Sequence, residues 1–192
     1  MRPEDVALLI MAGGRSRRFG ADDKLSADLD GQPLGLHVAI RLAAMGWAQK
    51  VAVARASLAS AYAALDYDVI EPRPDNGLGD NLALAARGLD AGAVLILLAD
   101  MPFVTVVHVT ALLEAATTTA SIVCTRTGDV RSPPVLIGRD HFPALRALTG
   151  DQGARAIFAA AGNRVEILAA VEVTADIDTP GDLVHWRTAH QG

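Results

Sequence analysis

Val6-Ala7-Leu8-Leu9-Ile10-Met11, followed by Ala12-Gly13-Gly14-Arg15-Ser16-Arg17-Arg18-Phe19-Gly20-Ala21-Asp22-Asp23-Lys24, opens the chain and decides its architecture. The unbroken apolar run reads as a strand buried on both faces, as in a parallel sheet. Two adjacent glycines then permit positive φ and let a ligand approach the backbone. Arg15, Arg17, Arg18 and Lys24 bring guanidinium forks and an ammonium to one short loop, where with backbone N–H groups they make a polyphosphate site. The charges alone would describe a solvated basic loop. The strand and glycines ahead of them decide for a binding site, because ligands in α/β sheets sit beyond the carboxyl ends of strands.

Two familiar phosphate loops do not fit. A Walker loop needs Gly-x-x-x-x-Gly-Lys-Ser/Thr, whereas Gly20 precedes Ala21. The dinucleotide fingerprint Gly-x-Gly-x-x-Gly is absent from the opening loop, and its nearest approach, Gly77-Leu78-Gly79-Asp80-Asn81-Leu82, ends in Leu after a Pro-rich segment.

A length of 192 residues suits one domain spanning residues 1–192. Hydrophobic residues make up 51% and aromatics only 4%, so the core is built from Ala, Val and Leu, which fits helices layered on a sheet. A net charge of −5 argues against a general nucleic-acid binder and makes the basic loop a local exception. The lone Cys124 excludes an intrachain disulfide, fits a reducing cytoplasm, and reads as a buried small hydrophobe. Arg2, Glu4 and Asp5 precede an apolar run too short for a secretory signal, and the stretch from Ala91 to Ala99 cannot span a bilayer. The expectation is a soluble, cytoplasmic protein with no membrane and no nucleic-acid partner.

Strands and helices alternate along the rest. Leu29 to Pro33 reads as a turn, with Pro33 opening a helix that ends at Gly46. Lys50 to Ala54 and Asp68 to Ile70 read as strands, with a helix from Leu58 to Leu65 between them. Pro72 to Gly77 is a loop over the sheet, and Leu78 to Leu89 a helix. Ala93 to Ala99, the most hydrophobic run, is the expected central strand. A helix from Val104 to Thr117 and a strand from Ser121 to Thr125 follow. A loop from Gly128 to Pro134 then leads to a strand from Val135 to Gly138. Asp140 to Leu148 and Gln152 to Ala161 read as helices, Val165 to Leu168 and Val171 to Val173 as strands, and the chain ends in a helix to about Ala189.

Asp100, in Leu98-Ala99-Asp100-Met101-Pro102, follows the central strand and faces the same sheet edge as the basic loop. It is a candidate Mg²⁺ ligand, although a helix cap would use the same residue. Thr149-Gly150-Asp151-Gln152 combines a C-cap glycine with an N-cap aspartate, or else Arg155 and the helix N-terminus bind an anionic acceptor. The five histidines have no metal-ligand spacing, and most fall on expected helices and should be partly exposed. No nucleophile–base pair is visible.

Met11-Ala12-Gly13-Gly14-x-x-x-Arg18-x-Gly20-x-x-x-Lys24 resembles the signature loop of the MobA-like nucleotidyltransferases, which attach a nucleotide to molybdopterin. The Asp100 block, Gly150 to Arg155 and Asp178-Thr179-Pro180 follow in family order. The resemblance implies a three-layer α/β/α, Rossmann-like nucleotidyltransferase fold with a mostly parallel sheet. It implies an Mg²⁺-dependent transfer of a nucleoside monophosphate to the terminal phosphate of molybdopterin, for delivery to a recipient molybdoenzyme. Lys24, Arg18 and Asp100 would be catalytic. Met11, Ala12, Gly13, Gly14, Arg15, Lys24, Gly79 and Asp100 would bind the nucleotide, Asp151 and Arg155 the acceptor, and Asp178 would be a second metal ligand or a cap for the last helix. Lys24 and Asp100 are expected to lie outside the packed core. Ser132 and Pro133 depart from the family's usual Gly and polar residue.

For the base, Ala12-Gly13-Gly14 resembles the guanylyl branch. Gly77-Leu78-Gly79, Pro72 and the absence of an amide between Ala54 and Ala56 resemble the cytidylyl branch, so CTP is favoured over GTP. A sugar-phosphate nucleotidyltransferase and a non-catalytic nucleotide sensor are the rival readings.

Overall fold

The computed structural model describes residues 1–14, 23–73, 75–154, 157 and 164–189. In chain order the elements are β1 (Val6–Ala12), a small hairpin of β2 (Asp28–Leu29) and β3 (Gln32–Pro33), α1 (His37–Leu42), β4 (Gln49–Ala54), α2 (Ala56–Ala63), β5 (Asp68–Ile70) and α3 (Leu78–Arg87). They continue as β6 (Ala93–Leu98), α4 (Val106–Ala115), β7 (Ile122–Thr127), β8 (Val130–Gly138), α5 (Phe142–Arg146), β9 (Arg164–Leu168) and α6 (Pro180–Ala189).

Seven strands form one sheet in the order β5-β4-β1-β6-β8-β7-β9. Only β8 runs antiparallel to its neighbours; β1, β4, β5 and β6 pair in parallel, as do β7 and β9. The opening apolar run needs cover on both faces and receives it. Val6, Leu8 and Ile10 pack with Leu42 of α1, Tyr62 of α2, Leu112 of α4 and Leu183 of α6. Ala7, Leu9 and Met11 pack with Leu82 of α3 and Leu145 of α5 on the other face. This is the expected three-layer α/β/α arrangement. Because the chain runs from β1 to β4 and β5 on one side and then returns to β6 on the other, the carboxyl end of β1 is a topological switch point, where a crevice opens.

Two segments differ from the sequence reading. Gly128 to Pro134 was expected as a loop, yet β8 begins at Val130 and pairs with β7 through Arg126↔Arg131 and Thr127↔Val130. Gly128, at φ 56°, makes the tight turn. Cys124 faces Val135 while Thr125 faces Ser132, so Pro133 and Pro134 are surplus on β8 and form a bulge. A bulge is where a strand tolerates prolines that cannot donate to the ladder. Val171 to Val173, expected as a strand, lies in a 3₁₀ turn over Val171–Thr174. Here β9 already ends the sheet, and the local bond from the Val173 amide to the Ala170 carbonyl replaces a ladder.

Candidate active site

A cleft of about 1190 Å³ opens at the carboxyl ends of β1, β4 and β6. Lys24 stands in it at the start of a 3₁₀ turn. Its ammonium donates to Asp100 Oδ2 at 2.6 Å and to Asp178 Oδ1 at 2.9 Å. Burial by itself would lower the Lys24 pKa, but the Asp100 and Asp178 carboxylates outweigh it and raise it above the ordinary lysine value. Lys24 is 9% exposed and therefore buried, contrary to the expectation that it stands clear of the core.

Each member of this trio is placed by its own segment. Asp23 fixes Lys24 from behind, its carboxylate accepting from the Leu25 amide (3.3 Å), Ser26 Oγ (3.2 Å) and Ser57 Oγ of α2 (2.7 Å). Asp100 sits two residues past β6, and its backbone carbonyl accepts from the Ile177 amide at 3.0 Å, drawing the Asp178 segment alongside. Asp178 is not the cap of α6. Asp182 accepts from the Asp178 and Thr179 amides (3.0 and 2.8 Å), and the Thr179 hydroxyl accepts from the Asp182 amide (3.2 Å). That reciprocal pair is a capping box, which leaves the Asp178 carboxylate to Lys24.

Asp100 Oδ1 is buried with no hydrogen-bond partner among the described residues. An orphaned carboxylate oxygen beside a second carboxylate is a donor set for a hard divalent cation. Among the described residues no group of three His, Cys, Asp or Glu side chains could hold a metal. Two carboxylates completed by phosphate oxygens and water suit Mg²⁺, which is seldom caged by protein alone.

Met11, Gly13, Gly14, Lys24, Asp100, Asp151 and Asp178 all line the cleft. Arg15, Arg18 and Arg155 lie outside the described residues, as does most of the helix expected from Gln152 to Ala161. Ala12 does not reach the cleft: it is buried in the sheet opposite Ala54. Gly79 is not among the residues that line the cleft. Its amide donates to the Gly150 carbonyl at 2.7 Å, and a Cβ there would lie 2.6 Å from the Gln152 carbonyl oxygen. Gly77 is tighter still, at 2.2 Å from the Gly150 oxygen. The Gly77-x-Gly79 pair therefore lets the 149–152 turn lie on the start of α3, and Asp80 locks it by accepting from the Gly77 and Gly150 amides (2.9 and 3.0 Å).

Other cleft residues were missed. Arg55 follows β4 directly, and the rule that located Asp100 would have found it. Arg73 and Glu71 come from the Pro-rich loop. Asn76 and Asn81 join their amides at 3.3 Å on the wall made by α3. No histidine lines the cleft among the described residues. His108 departs from the partial exposure expected of most histidines and is buried against Thr125.

The class this defines is an α/β protein with a cleft at its topological switch point, where a buried lysine stands between two aspartates and beside Gly13-Gly14. The sequence profile of the MobA-like NTP transferase domain matches residues 8–165. The chain belongs to that family of nucleotidyltransferases, whose members bind nucleoside triphosphates. Solved structures agree on the fold. A nucleotidyl transferase from Methanothermobacter superposes with a TM-score of 0.82 at 16% identity, covering 97% of each chain. A Mycobacterium tuberculosis protein, Rv0371C, solved with manganese, gives 0.77 at 19% identity, covering 96% of this chain and 99% of the other. The molybdopterin-guanine dinucleotide biosynthesis protein A of Archaeoglobus fulgidus gives 0.65 at 18%, covering 96% and 98%. No curated protein matches the chain by sequence. No described helix is long and apolar enough to cross a membrane.

Proposed function

We propose that this protein transfers a nucleoside monophosphate, CMP from CTP, to the terminal phosphate of molybdopterin with release of pyrophosphate, and that it uses Mg²⁺. The observation that carries the reading is the Lys24 ammonium held between Asp100 and Asp178 at the switch point. The attacking group is a phosphate monoester, whose second pKa near ~6 leaves it largely ionised at neutral pH. No general base is required, which accords with a cleft lined by no described histidine. One P–O bond forms at the α-phosphorus as the bond to the β-phosphate breaks, and pyrophosphate carries the charge away.

What the residues must supply is alignment and charge neutralisation. Lys24, Asp100 and Asp178 together carry one net negative charge, so by themselves they repel a triphosphate. Asp100 Oδ1 and the Asp178 carboxylate would hold the divalent cation, which reverses that sign and draws charge from the phosphate oxygens. Lys24 then lies beside the reacting phosphate with its direction fixed by Asp23. The Gly13-Gly14 backbone takes the nucleotide, with Arg15 and Arg18 assigned to the phosphates and Asp151 and Arg155 to the acceptor.

CTP is favoured because Pro72 packs against Gly13, at 3.1 Å from a Cβ built there, where no carboxylate meets a purine edge. The Asn76 and Asn81 amides offer a donor and an acceptor of a size that suits cytosine. A second reading, GTP on the same acceptor, is supported by Glu71, which lines the cleft one residue before Pro72 and could accept from guanine N–H groups. Pyrophosphate release measured with molybdopterin and each of the four nucleotides tests both. Turnover with CTP is the expected result, a dominant guanine dinucleotide product moves the assignment to GTP, and no turnover with any nucleotide removes molybdopterin as the acceptor.

A further inference from the structure

Beyond the cleft, three arginines from the far end of the sheet surround one carboxylate. Arg131 Nε of β8 lies 2.6 Å from Glu166 Oε1 of β9, Arg126 Nε of β7 lies 3.0 Å from Oε2, and Arg164 Nε of β9 lies 3.5 Å from Oε1. These four side chains carry a net charge of +2 in a chain whose total is −5. Arg126 and Arg131 are not sealed in, their side chains being 34% and 42% exposed, whereas Arg164 is 30% exposed with its Nε buried.

Their position follows from register. Ile122 and Cys124 of β7 point to the face covered by α3 and α5, and they pair with Arg164 and Glu166. Arg126, two residues past Cys124, lies on the same face opposite Arg131. That is the face to which Met11 of the cleft belongs. Arg126 and Arg131 are also at the edge of the sheet where β6 ends, since β7 runs parallel to β6 and β8 starts there. At about 4.8 Å per strand, the group lies one to three strands, roughly 5–15 Å, across the sheet from β6, the strand that leads into Asp100.

We infer that Arg126, Arg131 and Arg164 form an anion subsite for the acceptor, taking a second negatively charged group remote from its reacting phosphate. The inference rests on the nucleotidyl-transfer reading and adds to it a requirement on the acceptor: it is anionic at both ends. Glu166 orients the guanidinium forks and leaves the group cationic, as a reversible oxyanion site needs. A purely structural role would be a salt-bridge knot tying β7, β8 and β9 together. The two roles differ in what removing Glu166 does, because that breaks the knot while sparing the cations.

The experiment compares wild type, Arg126→Gln/Arg131→Gln and Glu166→Gln, measuring molybdopterin binding by calorimetry and pyrophosphate release against both substrates. The double arginine variant is expected to raise the acceptor KM and Kd about 10- to 100-fold, the range of a lost charge-assisted hydrogen bond, with the nucleotide KM within about twofold of wild type. Glu166→Gln is expected to keep the acceptor KM at or below the wild-type value. Wild-type acceptor KM and Kd in the double arginine variant overturn the subsite, as does an equal rise of acceptor KM in Glu166→Gln. A matching rise in nucleotide KM also overturns it, by placing the triphosphate on the arginines. Failure of wild type itself to turn over instead counts against molybdopterin as the acceptor. The calorimetric comparison then decides the subsite alone, and molybdopterin binding that is absent or insensitive to the arginines overturns it.

Discussion

Lys24 and Asp178 stand 154 positions apart in sequence and meet at 2.9 Å. That contact ties the last helix to the first loop, and Asp100 holds the same ammonium from the other side. Removing the charge of Asp100 while keeping its shape leaves Lys24 bound to Asp178, so Asp100→Asn is expected to stay folded. Losing a cation anchor and its electrostatic effect should lower kcat/KM about 10²–10³-fold and raise the Mg²⁺ concentration needed for half-maximal rate. Normal turnover at limiting Mg²⁺ would remove Asp100 from the metal site.

Lys24→Met tests the other side of the trio and has a cost that the sequence does not reveal. The substitution leaves two carboxylates facing one another, one of them with its Oδ1 already orphaned. Breaking a fully buried pair costs about 3–5 kcal/mol. Asp178 is 40% exposed, and water relieves part of the repulsion, so roughly 1–3 kcal/mol is expected here. Urea unfolding should show this loss in Lys24→Met alongside an activity loss of about 10²–10³-fold.

The layers of the fold were legible because they rest on local pattern. Val6 to Met11 and Ala93 to Ala99 are apolar at every position, and only a strand covered on both faces accepts that. Asp100 followed from topology, since the carboxyl end of a central strand is where an α/β sheet opens, and from the resemblance of its block to the family's. Long-range effects were hidden. Pro133 and Pro134 look like loop residues until a bulge is known to absorb them, and nothing in Gly77-Leu78-Gly79 shows that the 149–152 turn lies on both glycines. Lys24 reads as a surface cation because its two carboxylates come from 76 and 154 positions away.

The two glycines after β1 separate packing from binding. A Cβ on Gly13 would press on Pro72 at 3.1 and 3.2 Å, whereas one on Gly14 meets nothing within 4 Å. Gly13→Val therefore disturbs the protein itself as well as any ligand. Gly14→Val is the cleaner probe, expected to keep wild-type thermal stability while weakening nucleotide binding at least about tenfold, since the branched side chain fills space the ligand needs. Calorimetric affinity for the nucleotide that is unchanged in Gly14→Val would move the site off this segment.

Gly77→Ala addresses the turn packed on α3. With the new Cβ at 2.2 Å from the Gly150 oxygen, backbone must shift, and overpacking of this kind costs about 1–3 kcal/mol. Gly150 and Asp151 line the cleft, so the displacement also reaches the acceptor side. The expected outcome is a lower melting temperature with a raised acceptor KM. A variant as stable as wild type would show that the turn can lift from α3 freely.

The last prediction concerns pH and the buried pair of His108 and Thr125. Thr125 gives its hydroxyl proton to the Pro134 carbonyl at 2.8 Å, so the proton between Thr125 Oγ1 and His108 Nε2, 2.8 Å apart, belongs to the imidazole. Burial lowers the His108 pKa below its ordinary 6.5. As pH falls, the unfolded chain therefore takes up this proton before the folded protein does. The contribution of His108 to stability is whole above pH 6.5, declines as pH drops between 6.5 and the lower folded value, and levels off beneath that. His108→Gln keeps a donor for Thr125 but does not titrate. Between about pH 7.5 and about pH 5.5 its melting temperature is expected to fall less than that of wild type. Parallel declines would assign the acid sensitivity of this fold to other groups.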